Sequence, residues 1–404
     1  MSTAGTLPPP PDGGFHAWAQ VVSGHLVVAV TWGYAASFGV FQDHYEVTLP
    51  QTSSDISWIG GFQVFCLLFM SPLSGRATDA GQARLVVSIG AFLLLLGTFM
   101  TSLARVYWQL FLSQGLCIGI GQGLMWLPSV TLVSTYFVRR RVFAVTAAAT
   151  GTSTGGIIFP AMIQFLSPRI VVFVMLLIIL ALLRPRLPPR KSGPLIEWGA
   201  FTEPAYMLFT FGVFLLYWTL YFAFFYTTTN KTQIQVYATD RLGLSARAGV
   251  NLVIVINALG IPIRAPCGYL ADRYLGPLNC LIPWVSICGV LMFCWAGVHN
   301  VAGLYIFAVF YGLASAAAMG LFAGTVPSLT KDLDKIGTRV GMALAMISFG
   351  PLTGPSVAGA LIAQSGDDSY LPAQLWAGAA LMVGALALVG TRIVITGPHL
   401  LVKV

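Results

Sequence analysis

Few residues in this sequence could do chemistry inside an apolar environment. Arg264 is the one Lys or Arg set well inside a long apolar run, and Asn257 and Gly260 share its helical face at spacings of i, i+3 and i+7. A guanidinium offers a carboxylate two parallel hydrogen bonds, so this face suits an organic anion. It equally suits a latch, because Arg264 lies only about 9 Å of helix from the nearer end of its run, within reach of a partner or of the interface. His25 is a candidate proton carrier near neutral pH, with a hydrogen-bonded core histidine as the alternative. Tyr221 belongs to an aromatic series with Tyr217, Trp218, Phe222, Phe225 and Tyr226, where packing and interfacial anchoring compete with a solute-facing role. Gln63, Gln114, Gln122 and Gln164 read as interhelical hydrogen-bonders.

Other chemistries lack their residues. Asp43, Glu46 and Asp55 cluster at the ends of apolar runs and the remaining acids fall in loops or tails, so no paired carboxylates lie within a run. There is no H-E-x-x-H, and the six cysteines show no C-x-x-C spacing. Neither an enzyme, a bound metal nor a cofactor is expected. The net charge of +8 does not point to nucleic acid, because the basic residues are scattered between apolar runs rather than striped beside stacking aromatics.

The elements that must position these groups follow from composition. Of 404 residues, 57% are apolar and 8% charged, against about 25% charged in soluble domains, so the solvent is lipid. Runs of about 20 apolar residues, the length that crosses a hydrocarbon core of about 30 Å, predict an all-α protein with twelve transmembrane spans. They fall at 17–41, 56–75, 84–103, 107–134, 142–166, 170–183, 205–227, 248–270, 278–298, 301–327, 339–363 and 372–391.

Basic residues orient the chain. With the N-terminus in the cytosol, Arg76, Arg84, Arg139 to Arg141, Arg184, Arg186, Arg190, Lys191, Arg273, Lys331, Lys335, Arg339, Arg392 and Lys403 fall inside. Only Arg105, Arg169, Lys231, Arg241 and Arg247 fall outside. The expected organisation is a disordered cytosolic tail (1–16), a six-helix half (17–183), a proline-rich cytosolic linker (184–203), a second six-helix half (204–391) and a tail (392–404). The sixth span is the weak point: about 14 residues give about 21 Å of helix, short for a bilayer. Local thinning, burial among other helices and a deletion near residue 170 are competing explanations.

Two loops at matching places in the halves carry similar text, Gly75-Arg76-Ala77-Thr78-Asp79-Ala80-Gly81 and Gly268-Tyr269-Leu270-Ala271-Asp272-Arg273-Tyr274-Leu275-Gly276. Glycine allows close helix approach and the aspartate can hold a neighbouring helix N-terminus, which makes Asp79, Asp272 and Arg273 candidate gate residues. Asp12-Gly13-Gly14-Phe15-His16-Ala17-Trp18 precedes span one, and Tyr136-Phe137-Val138-Arg139-Arg140-Arg141-Val142-Phe143-Ala144 leads into span five. The aromatics suit interfacial anchoring, and Arg139 and Arg140 suit anionic inner-leaflet lipid as well as a gate.

The loop pair and the six-plus-six plan resemble the major facilitator transporters. Asp12, Gly13, Gly14 and Trp18 of the first stretch, with Tyr136 and Phe137 of the second, resemble the signatures of the monocarboxylate transporter family, fungal members above all. The resemblance spans nearly the whole chain. It implies alternating-access transport of a small organic solute such as a monocarboxylate, in the plasma membrane or an organellar one. It also implies substrate contact by Arg264, whose Gly260-to-Pro266 neighbourhood looks like the family's span eight. The proton-coupling Lys and Asp of animal members align with Ala36 and Gly260, so symport and uniport both stay open. Export of a larger secondary metabolite and a non-transporting sensor on the same fold are the alternatives.

Overall fold

The computed structural model describes residues 10–165, 168–186, 195–224, 246–329, 336–365, 370–397 and 402. Residues 1–9 of the expected tail, 187–194 of the linker, 398–401, 403 and 404 of the C-terminal tail, and the side chains of Tyr221, Gln164 and Asp43 lie outside the described set. The described chain is all helix and loop. Nine of its helices are long and apolar enough to cross a membrane, Arg169–Leu182 and Pro204–Leu220 are shorter apolar helices, and the first apolar segment completes the twelve.

Several spans are interrupted where the sequence weakens a helix. Span one runs as Gly14–Val28, a π turn over Ala29–Gly33, then Tyr34–Ala36 and Phe38–Thr48. The π turn shifts carbonyls out of helical register, and Gln122 of span four answers it by donating to Thr31 O at 3.0 Å while accepting from Gln63 Nε2 at 3.0 Å. Span two breaks at Met70, just before Pro72. Span five divides at Thr150 into Arg141–Ala149 and Gly151–Phe165. Span eleven divides at Ser348, ahead of Gly350 and Pro351. Such breaks are tolerated in lipid because neighbouring helices satisfy the freed backbone groups.

The sixth span is a helix over Pro168–Leu182, 15 residues or about 22 Å, seated against spans one and three. Gln20 of span one clamps its end, donating from Nε2 to Leu182 O (2.8 Å) and accepting from Arg184 N (3.2 Å). Only one face is covered by those spans: Val172, Leu176 and Ile179 are buried, while Phe173, Val174, Leu177 and Ile178 are exposed.

The first six and last six segments form two groups. They meet where spans two and four touch span eleven and where span five touches spans eight and ten. The linker returns as a short 3-10 turn, Trp198–Thr202. Glu197 and Glu203 on either side of it both bind Arg339 at the start of span eleven, at 2.9 and 2.5 Å.

Candidate functional site

The two loop motifs do the same thing in mirror order. The Asp272 carboxylate, after span eight, accepts from Val142 N (3.1 Å) and Phe143 N (2.7 Å) at the first turn of span five. The Asp79 carboxylate, after span two, accepts from Gly337 N (3.2 Å), Thr338 N (2.9 Å) and the Thr338 hydroxyl (3.2 Å) at the first turn of span eleven. Each carboxylate thus satisfies amides that a helix start leaves unpaired and sits against the positive end of that helix's dipole. Each crosses from one helical group to the other.

The glycine four residues before each aspartate explains the spacing, since i and i+4 share a face. A Cβ at Gly75 would run into the carbonyl of Gly337, and one at Gly268 would run into Thr146 and stand 2.9 Å from Phe143 Cα. Only glycine lets the backbones approach closely enough for the carboxylate to reach. Arg273 stays exposed on the outer side, donating to the Tyr269 hydroxyl at 2.5 Å and lying over the Tyr269 and Tyr274 rings at 5.8 and 5.4 Å. The Arg139 and Arg140 side chains are exposed.

Span eight carries this face further. Asn257, Gly260, Arg264, Gly268 and Asp272 form one stripe against span five, antiparallel to it. Asn257 Oδ1 would stand 2.9 Å from a Cβ on Gly156, and Gly260 lies over Ser153. Arg264 donates from Nη1 to the Ala149 carbonyl. Gly268 faces Thr146, and Asp272 caps Val142 and Phe143. The sequence places Asn257, Gly260 and Arg264 on one face; that Gly268 and Asp272 continue it onto span five is a tertiary fact.

Arg264 is buried, 3% exposed, in the interface between the two groups. Its stem crosses Gly320 of span ten, where a Cβ would stand 3.2 Å from Arg264 Cγ. Tyr217 of span seven is within electrostatic reach of the guanidinium. The Ala149 carbonyl is available because span five breaks at the next residue: the Ser153 amide turns to Thr150 O at 3.0 Å. The Ala149 carbonyl is a neutral acceptor for this cation, and a neutral acceptor is weaker than a carboxylate.

His25 lies on the other side of the same break. Its Nδ1 is 3.0 Å from the Thr150 hydroxyl and its Nε2 is 3.0 Å from the Thr154 hydroxyl. Span five is therefore pressed between span one, through His25, and span eight, through Arg264. The letters Gly151-Thr152-Ser153-Thr154-Gly155 spell the G-x-S-x-G pattern of hydrolases, but they lie inside a transmembrane helix rather than at a strand-to-helix turn, with Ser153 against Gly260.

The two remaining motifs meet each other. The Asp12 carboxylate accepts from Val138 N (2.5 Å) and Arg139 N (2.9 Å), and Asp12 N donates to Tyr136 O at 3.1 Å. Gly13 and Gly14 turn the chain into span one, Gly14 with φ 84°, a backbone region that favours glycine. Trp18 then stands edge-on to Phe137 and Phe143, with centroids 5.4 and 6.1 Å apart, and the Tyr136 hydroxyl donates to Arg184 O at 2.8 Å. Tyr221 falls within the helix Pro204–Phe224.

Sequence reasoning did not single out Thr150, Thr154, the Ala149 carbonyl or the Arg339 clamp. The Thr-Gly pair at 150–151 was a readable signal for a helix break. The clamp had a fainter one, in two linker acids and a basic residue at the foot of span eleven.

Comparisons with known proteins fit this architecture. The chain is 38% identical over 402 residues to an MFS-type transporter of Gibberella zeae, covering 96% of this chain and 89% of the relative. It is 31% identical over 400 residues to the aspyridones efflux protein apdF of Emericella nidulans, covering 96% and 80%. Its fold is similar to that of the human organic anion transporter MFSD10, with a TM-score of 0.76 at 14% identity over 92% of this chain and 99% of that one. The profile of the Major Facilitator Superfamily matches residues 19–328, and the chain accordingly belongs to that superfamily of membrane transporters.

Proposed function

We propose that this transporter exports a small acidic secondary metabolite by alternating access, with Arg264 as the group that takes the substrate's carboxylate. The observation that carries this reading is the state of Arg264, buried between the two helical groups on the carbonyl of Ala149. A carboxylate is a stronger, bidentate partner for a guanidinium than a peptide carbonyl is. Substrate binding would therefore displace the Ala149 contact and loosen the stripe that ends at Asp272, so that occupancy of the site and opening at the basic end are linked. The aspyridones efflux protein supports the export direction by its name and its similarity over most of both chains. The aromatic side of span seven, with Tyr217 near Arg264, suits a ring-bearing acid.

Uptake of a short monocarboxylate is the second reading. It is favoured by the two signature stretches, which touch each other at Asp12 and Trp18. Both readings place the basic end in the cytosol and the chain in the plasma membrane, and both use the same cation. Flux of radiolabelled lactate, benzoate and salicylate in both directions, in cells expressing the chain or Arg264→Gln at equal surface abundance, tests them. Outward benzoate or salicylate flux lost in Arg264→Gln supports the first, and lactate uptake lost in the variant supports the second. Carboxylate flux equal in both proteins removes Arg264 from the substrate site.

A further inference from the structure

We propose that His25, Thr150 and Thr154 form a proton-binding site, and that its occupancy is passed to Arg264 through the break in span five. The inference rests on the transporter reading above and adds a coupling ion to it.

The geometry supports both protonation states without an orphaned group. In the neutral state, Nδ1–H donates to the Thr150 hydroxyl, which donates on to Ala147 O at 2.6 Å, while the Thr154 hydroxyl donates to Nε2. When a proton from water adds to Nε2, the ring becomes a donor on both sides. The Thr154 hydroxyl then accepts from Nε2–H and turns its own hydrogen to Gly151 O, 3.2 Å away. Nothing but a hydroxyl rotation is needed. Both partners sit on the segment where span five changes course.

The route onward is short. Thr150, which accepts from the ring, is the residue next to Ala149, whose carbonyl holds Arg264. Around the imidazole, the elements packed against this part of span one are spans four, five and six. Their ionisable groups are Tyr107, Cys117 and Tyr136 on span four, Arg141 at the foot of span five and Arg169 at the far end of span six, and no carboxyl group lies on the three. An imidazolium there has no acid to neutralise it, and Arg264 lies on the far side of the same break. The added charge disfavours a second cation on the Ala149 carbonyl and favours an anion beside both. Proton and carboxylate then bind together, and the stripe from Arg264 to Asp272 loosens. The arrangement does without an acid at position 260, where Gly260 stands.

Hydrogen–deuterium exchange of the full chain in lipid nanodiscs reads this without any solute. The reporters are the amides of Val142 and Phe143, which Asp272 covers. Protection is compared at about pH 5.5 and 7.5, either side of the ordinary imidazole pKa of about 6.5, after correction for the exchange of the unfolded chain. We expect wild type to lose protection about threefold or more at the acid pH, His25→Gln to show the same protection at both, and Thr154→Val to lose the response while Thr154→Ser keeps it. The Thr154 pair keeps the test decisive if His25→Gln misfolds. An acid response of wild-type size in His25→Gln, a response lost equally in Thr154→Ser, or no response in wild type overturns the proposal. Because no substrate is used, a chain that shows the response but moves none of the three carboxylates would lose the proposed substrate and keep the proton site.

Discussion

Removing the negative charge of Asp272 should shift the transporter toward the form open at its basic end, by an amount that the structure allows to be worked out. The carboxylate holds two amides of the other half, at 3.1 and 2.7 Å, on the first turn of span five. Asp272→Asn keeps one acceptor and turns an NH2 group toward the second amide. The loss is one charge-assisted hydrogen bond of about 1.5–3 kcal/mol, together with a charge–dipole interaction of about 0.3–1 kcal/mol. Half-burial of the site argues for the lower end, so the net shift should be about 2 kcal/mol, or about 30-fold in the closed-to-open ratio. Asp272→Ala, which loses both bonds, should shift it by about 100-fold or more. The assay is the distance between spin labels at Arg84→Cys in the first half and Ile395→Cys in the second. Both positions are exposed, and the background carries Cys294→Ser to remove the exposed native thiol. A longer-distance population should grow in the order wild type, Asn, Ala. If the distance distribution of a folded Asp272→Ala protein matches wild type, the carboxylate does not hold the two halves together and the gate reading fails.

Asp79→Asn should move the same equilibrium in the same direction, because its carboxylate crosses to span eleven with three hydrogen bonds; the same label pair reads it, and an opposite shift would contradict the paired-latch account. Gly75→Ala should also open the basic end, since its Cβ would meet the Gly337 carbonyl, whereas Gly61→Ala, with nothing within 4 Å, should leave the distances unchanged. In the linker, Glu197→Gln should lower thermal stability by about 1 kcal/mol and Glu203→Gln by less than about 0.5 kcal/mol. Glu197 is 16% exposed and Glu203 47% exposed where they bind Arg339, and calorimetry of the full chain giving the reverse order would refute that ranking. Asp12→Ala should free the N-terminal stretch from Val138 and Arg139, which limited proteolysis would show as faster cleavage ahead of span one.

The two aspartate latches, the span-eight stripe and the broken span five make one mechanical system. Span five is held by its own half through span one, at Thr150 and Thr154, and by the other half through span eight, at Ala149, and its helix breaks at Thr150, where the two attachments adjoin. In the proposed mechanism a change at either attachment is passed to the other, because packed helices shift between discrete arrangements rather than deforming continuously. Here the coupled elements are short-range and named: Thr150 beside Ala149, and Arg264 two helical turns from Asp272.

Much of this was legible in the residues themselves. Apolar run length requires a membrane and twelve crossings, because backbone polar groups in lipid leave only the helix as an economical solution for such runs. The repeated Gly-x-x-x-Asp spacing pointed to paired loops, and the isolation of Arg264 within an apolar run pointed to either a substrate contact or a latch, since a charge in hydrocarbon is sustained only by a partner or a wet face. What the tertiary structure decided was the partner in each case. Helical periodicity says which residues share a face and nothing about which helix that face meets. Asp272 reaching Val142 and Phe143, Arg264 reaching Ala149 and His25 reaching Thr150 and Thr154 all depend on contacts more than one hundred residues apart in sequence. The sixth span shows the same division: its short apolar run was plain in the sequence, but the clamp at its end comes from Gln20, 162 residues away from Leu182, whose carbonyl the Gln20 amide caps.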